Sequence, residues 1–420
     1  MSGTAFELLD LVARWVHVIA GIMWVGNSLL FNWLDRSLMT TSDDVPLPVA
    51  AFGATEGEAH RPERTEGAHL GTIWLLHSGG FYYVEKTLLA GQQLPKSLHW
   101  FKWQAYTTWL SGMALLLVVY YLGSRAVLAD PTVASLTHQT AAAIGLSAIV
   151  GGWLLYESMN RFVAPRAPTL SAVVWIAGLV AIAIVLTRLL SGRAAYLHVG
   201  AVMGTIMAGN VFFTIVPSQR ELVASVEQGQ SSRLAELSAR AKRVSIHNNY
   251  FTFPVIVLMV SNHFSVIYGQ RNSWVSLLVL IGGGAAVRHI LNLRFTRPWW
   301  RSALALTITA TMVVLWTRMP GRAAAPAAAP GTAPVTFADA RHVIDRRCAA
   351  CHSNAPSDLS FGVAPAGVAF DTPEQILARA PRINERAVVT RTMPPANKTN
   401  ITDAERELLG RWIAQGAIGR

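Results

Sequence analysis

Leu11-Val-Ala-Arg14-Trp-Val-His17-Val-Ile-Ala-Gly-Ile-Met-Trp-Val-Gly-Asn27-Ser-Leu-Leu-Phe-Asn32-Trp33 is an apolar run whose single formal charge is Arg14. A run of about 20 apolar residues matches the thickness of a bilayer when it is helical. In lipid every backbone N–H and C=O must be satisfied within the segment, which favours a helix over any open structure. The run is too long for the apolar core of a secretory signal and lacks a small-residue cleavage site. It therefore reads as a retained transmembrane helix.

Seven further runs of similar length follow: Gln104–Gly123, His138–Ser158, Ser171–Leu190, Ala194–Pro217, His247–Ile267, Ser273–Leu291 and Trp299–Arg318. The expected fold is all-α, a polytopic bundle of eight transmembrane helices over residues 1–318. Composition agrees, with 52% hydrophobic residues, 14 Trp and only 14% charged residues, against about 25% charged in soluble domains. The formal net charge of +11 needs no nucleic acid, because Lys and Arg gather in the cytoplasmic loops of membrane proteins. The partner this composition calls for is the lipid bilayer.

Orientation follows from those cations. Arg161 and Arg166, then Arg220, Arg233, Arg240, Lys242 and Arg243, then Arg294, Arg297 and Arg301 share one set of loops. The opposite set holds only Arg125, Arg193, Arg271, Arg318 and Arg322 near its boundaries. The richer set is expected inside, so both termini face outward. The connection 35–103 then lies in the cytoplasm. Its first half, Thr41–Gly67, is polar loop. Its second half holds Leu70–Lys86, apolar and aromatic but interrupted by Gly79-Gly80. That stretch reads as a ninth span, a re-entrant piece or a β-hairpin turning at the glycines. A ninth span would carry the C-terminal tail inside, so a compact cytoplasmic hairpin is expected.

The tail supplies the second line of evidence. Cys348-Ala-Ala-Cys351-His352 has the spacing for covalent haem attachment, two thiols for two vinyl groups and a histidine for the iron. A zinc site would need four ligands, and the chain has no third cysteine. Bacteria attach such haems outside the inner membrane, in agreement with the charge-derived topology, so the tail is expected in the periplasm. An Ala/Pro linker, 319–334, could reach roughly 45 Å. Residues 335–420 have the size of a class I cytochrome c domain. Phe337, Ala340, Val343 and Ile344 at helical spacing lead into the motif, and Thr402–Glu405 is a capping box that opens a terminal helix. Met393, the only methionine of the domain, stands in Met393-Pro-Pro and is expected opposite His352 on the iron.

Ionisable residues inside a membrane are functional hypotheses. By the topology above, His17, His138, His198 and His263 fall at one depth on the outer side, and are expected to ligate one or two haem b groups as bis-His pairs. A second polar group gathers at the cytoplasmic side: His247-Asn248-Asn249-Tyr250, Arg288, His289, Asn292, Asn27 and Asn32, with His77, Glu85 and Lys86 in the hairpin beneath. Its expected role is to hydrogen-bond a planar ligand rich in donors and acceptors.

The chain as a whole resembles the cytochrome c-linked membrane urate oxidase (urate hydroxylase) family. The stretches that carry the resemblance are Arg14–Asn27, His77–Lys86, Leu98–Trp109, His247–Pro254 and the Cys348–His352 domain with Met393. The first helix is also similar to that of haem b-holding membrane protoporphyrinogen oxidases. The resemblance implies oxidation of urate to 5-hydroxyisourate in purine degradation. It also implies electrons delivered to the chain's own haem c and no hydrogen peroxide. The onward acceptor would be a cytochrome oxidase or a soluble cytochrome, with His77, Glu85 or His247 as the base. A quinol-type dehydrogenase, or a transporter or binding module with a tethered cytochrome, are the competing readings.

Overall fold

The computed structural model describes residues 3–38, 68–88, 94, 97–122, 125–131, 133–229, 233–261, 263–269, 272–318, 334–358 and 364–418. The polar loop 41–67 and nearly all of the linker 319–334 lie outside the described residues.

The first apolar run forms α1, Gly3–Leu38, longer than the run at both ends. The chain returns through an antiparallel hairpin of β1, Ala68–His77, and β2, Gly80–Leu88. Ser78 and Gly79 both have positive φ, 49° and 76°, the signature of a two-residue turn that matches the strand twist. The hairpin expectation holds, with the turn one residue earlier than the glycine pair. At its root Gly71 has φ 138°, and a Cβ built there would lie 1.7 Å from the Leu38 carbonyl oxygen. Only glycine lets β1 pass the end of α1 so closely.

Next come α2, Trp103–Leu115, continued by the π-turn Leu116–Tyr121, and the short α3, Arg125–Leu128. The other long helices are α4, His138–Val163; α5, Pro168–Leu189; α6, Gly192–Glu227; and α7, Leu234–Ser261. After α8, Ser265–Tyr268, the bundle closes with α9, Ser273–Leu293, and α10, Trp300–Arg318. The starts are set by local chemistry. Thr137 accepts from the Thr140 amide ahead of α4, Ser191 from Ala194 ahead of α6, and Pro168 opens α5, each meeting the orphan donors of a first turn.

Among the described residues seven helices are long and apolar enough to cross a membrane: α1, α4, α5, α6, α7, α9 and α10. The eighth expected span is helical but is not among the seven. Its first turns carry Gln104, Tyr106, Thr107, Thr108 and Ser111, and it lies along α1. The central element is α6, with Ala194, Tyr196, Val199, Val202 and Met203 fully buried among α4, α5 and α7. The rim helix α1 does the opposite: Leu11, Trp15 and Ile22 are 63%, 66% and 67% exposed. Such an apolar surface suits lipid.

The C-terminal unit has its own core of Ala340, Ile344, Ile376, Leu409 and Trp412. Three helices build it: α11, Phe337–Arg347; α12, Pro373–Ile383 with its π-turn continuation Asn384–Val389; and α13, Asp403–Ala414. Each opens with a capping box, Thr336/Asp339, Thr372/Gln375 and Thr402/Glu405. Phe337 and Trp412 bring the first and last helices together, ring centroids 5.9 Å apart. The turn Pro395–Asn397 packs on α3, and Arg386 hydrogen-bonds Tyr268. The unit thus sits at the end of the bundle where α4 and α6 begin, called here the near end.

Candidate functional site

In the C-terminal unit, α11 delivers Cys348 at its last turn, where the Cys348 amide donates to Ile344 at 2.8 Å. The His352 amide then donates to the Cys348 carbonyl at 2.9 Å, closing the five-residue motif into a turn. Both thiols are free. Burial pushes Cys348 up to about 12; burial and the neighbouring Asp358 push Cys351 up to about 11. Such thiols stay protonated, and among the described residues no cluster of three His, Cys, Asp or Glu side chains could hold a metal ion. His352 Nδ1 donates to the Val368 carbonyl at 2.8 Å, which leaves the lone pair on Nε2, the arrangement that orients a ligating imidazole. Met393 is held by its backbone: its amide donates to Arg386 at 3.0 Å, and its carbonyl accepts from buried Arg406 at 2.8 Å. Two free thiols, an oriented imidazole and a thioether in a fixed loop fit a covalently attached haem.

The membrane histidines do not keep the common level expected of them. His17 Nδ1 meets the Thr108 carbonyl at 2.9 Å and Ser111 Oγ at 3.2 Å. His138 Nε2 donates to the Tyr121 carbonyl at 2.8 Å. Thr108 and Tyr121 are separated by roughly 20 Å along α2 at about 1.5 Å per residue. His17 is therefore deep in the bundle, and His138 is at its near rim. The helix α1 begins at Gly3, before the apolar run, so His17 lies further along it than the run implied. His198 joins His138 around the same tyrosine. Its Nδ1 donates to Ala194 at 2.8 Å and its Nε2 accepts from Tyr121 Oη at 2.9 Å. Gly145 makes the space, since a Cβ there would fall 2.5 Å from His198 Nε2. His263 is exposed in a turn. Two of the four combine one anchored ring nitrogen with one that no hydrogen bond among the described residues engages: His17 through Nε2, and His138 through a buried Nδ1.

The far end of the bundle holds a continuous polar layer, built from consecutive residues of α7 that reach different neighbours. His247 Nδ1 lies 2.6 Å from Tyr156 Oη of α4. Tyr156 Oη also accepts from Asn210 Nδ2 at 3.0 Å, and Asn210 donates to Asn248 at 2.8 Å. Asn249 Oδ1 accepts from Arg288 Nε at 3.0 Å and Asn292 Nδ2 at 2.9 Å, both on α9. Tyr250 meets His289 Nδ1 at 2.7 Å. Two π-turns serve this layer, Met159–Val163 and Asn210–Ile215, and such turns often mark functional positions in helices. They place Asn160 and Asn210, both buried, each with an Oδ1 that has no partner among the described residues. A narrow apolar crevice of about 10 Å³ lies beside the layer, lined by Gly152, Tyr156, Trp175, Leu179, Val202 and Ile206.

His77 and Glu85 lie in the hairpin, outside the helices whose side chains are bonded in this layer. His77 pairs with Gly80 at the turn and Glu85 with Thr72. Strand alternation puts them on opposite faces, about 17 Å apart at roughly 3.4 Å per residue. Sequence reasoning missed Asp35 at the end of α1, which pairs with Lys86 of β2 and lies 3.7 Å from Lys242 of α7. It also missed Tyr156, Trp175 and Asn210. The signal for Asn210 was an amide within an apolar run.

Residues 3–318 match the family model described as urate oxidase N-terminal. No curated protein and no solved structure matches the chain.

Proposed function

The chain belongs to the urate oxidase N-terminal family, and from that premise we propose that it oxidises urate inside a membrane and delivers the electrons to its own C-terminal unit. Urate and water give 5-hydroxyisourate, two protons and two electrons. No oxygen is reduced at the site, so no hydrogen peroxide forms. The observation that carries this reading is the union in one chain of the family match over 3–318 with the Cys348–His352 motif and Met393 behind it.

A haem held by Cys348, Cys351, His352 and Met393 supplies one-electron acceptance when bound. The protein's own residues do the rest. The far end, which the Lys and Arg distribution assigns to the cytoplasm, receives urate. His247 takes the proton, because its Nδ1 is bonded to Tyr156 within the polar layer. Tyr156 holds its Nδ1, and Asn210 holds Tyr156. Trp175, with its ring centroid 6.1 Å from His247, shields the pair from water on one side. The near end, turned to the periplasm of a bacterial inner membrane, bears the C-terminal unit through α3. From there a cytochrome oxidase or soluble cytochrome removes the electrons one at a time. Through His17 or His138 the bundle would hold a haem b.

Anaerobic addition of urate to membranes containing the protein tests this. The reduced haem c absorption should rise and one 5-hydroxyisourate should form for every two haems reduced. Reduction by a quinol but not by urate would overturn it in favour of a quinol-type dehydrogenase.

A further inference from the structure

Arg288 is 2% exposed near the far end of α9, and no salt bridge with a carboxylate forms there among the described residues. Its Nε donates to Asn249 Oδ1, while its Nη2 is buried with no hydrogen-bond partner among the described residues. Asn292 donates to the same Asn249 oxygen, and its own Oδ1 is likewise buried and orphaned. The Phe253 ring lies against the guanidinium, with Cζ 5.5 Å from the centroid. A buried guanidinium without a counter-charge is destabilising, and a residue so enclosed cannot extend its head to lipid phosphates as surface arginines do.

The orphaned atoms have a chemical pattern. One is a cationic donor, one a neutral acceptor, and a flat aromatic face lies beside them. A planar heteroaromatic monoanion, with N–H and C=O groups alternating along its edge, satisfies all three. We infer that Arg288, Asn249 and Asn292 form the recognition site for such an anion, which is urate if the function proposed above holds. Arg288 carries the negative charge, Asn292 Oδ1 accepts from a ring N–H, Phe253 sets the plane, and Asn249 fixes the two polar side chains relative to each other. Asn249 follows His247 by two residues on α7, so the two stand at one level of the bundle but on different faces of the helix, Asn249 toward α9 and His247 toward α4. The inference rests on the urate reading for its ligand but on its own atoms for its charge.

The decisive variant is Asn292→Asp. It keeps the side-chain shape and gives Arg288 an internal counter-ion, so it should fold at least as well as the native chain. Equilibrium dialysis of the full haem-loaded chain against urate, which needs no turnover, should show retention weakened about 30-fold, the scale of one charged hydrogen bond. Arg288→Gln should do the same and Arg288→Lys should restore part of the loss. If folded Asn292→Asp and Arg288→Gln retain urate as the native chain does, the inference is overturned while the urate reading stands. A native chain that retains urate without reducing its haem has the opposite meaning: the site survives and the reaction falls. Native protein that retains no urate removes the site.

Discussion

Two arginines are buried in this molecule to nearly the same degree, Arg406 in the C-terminal unit at 4% exposed and Arg288 in the bundle at 2%. Their surroundings differ. Arg406 donates to the carbonyls of Ala387 and Met393 and to Asn397 Oδ1. Every one of these partners belongs to the segment that presents Met393. Arg288 has a single amide oxygen, and its Nη2 is left open. Buried polar groups in folded proteins are almost always paired, so a satisfied arginine reads as scaffold and an unsatisfied one as a place for something else. Around Met393 the C-terminal unit completes its own architecture. The far end of the bundle does not.

Replacing each arginine by methionine should break the comparison most visibly. Arg406→Met leaves two buried carbonyls without donors, which costs about 3 kcal/mol and should lower the melting temperature of the C-terminal unit by on the order of 10 °C. Because the Met393 loop loses its anchor, the haem potential should also fall, measured by redox titration. Arg288→Met removes an uncompensated buried charge and should leave the ligand-free bundle unchanged or more stable by about 1 kcal/mol. A melt in which both variants lose equal stability would erase the distinction between scaffold and site.

His247→Gln separates the two roles within the polar layer. With the base gone, turnover should fall about 100-fold, while the urate concentration for half-saturation stays near the native value. Tyr156→Phe removes the hydroxyl between His247 and Asn210. Asn210 keeps its bond to Asn248, so the cost should be about 1 kcal/mol, read from the thermal melt. A variant at His247 that changed only the half-saturating concentration would transfer that residue from proton handling to binding.

What could be read from the chain followed the same division. The haem motif places its chemistry in five consecutive residues, and the capping box at Thr402 is equally local, so both were legible. The bundle's membership was legible from apolar runs, and the hairpin from its interrupted aromatic stretch. Helix ends were not. Apolar windows stop where the bilayer stops, whereas α6 continues to Glu227 and α7 begins at Leu234 in polar sequence. The depth of His17 was misjudged for the same reason. The polar residues at the far end were recognisable as a group, but not their connections. His247, Asn248 and Asn249 bond to three different helices, and no spacing in the sequence encodes which neighbour each one meets.

The smallest predicted effect is a difference in acid sensitivity. In the C-terminal unit, Asp371 is held below the usual carboxylate range by Ser353 and by the Asn354 amide, which donates at 2.8 Å. For Glu405, burial pushes upward but the Thr402 amide and Arg347 outweigh it and bring it down. A carboxylate whose folded pKa is depressed contributes stability above its unfolded value and loses it as pH falls through the folded one. The C-terminal unit should therefore weaken between about pH 4 and pH 2. Asp371→Asn should remove part of that acid-side slope by eliminating one of the titrating groups. Because Asp371 is fully solvated, its share should be a shallow change in the acid limb. The far-end layer is held by amides, hydroxyls, an imidazole and a guanidinium, with no carboxylate in its hydrogen bonds. Its tertiary signal should persist at pH values where the C-terminal unit has begun to melt. Near-ultraviolet dichroism of the native chain and of Trp412→Phe separates the two, because Trp412 is the one tryptophan of residues 335–420 and the other 13 lie before it. Simultaneous loss of both signals in acid would mean that the two units fold as one.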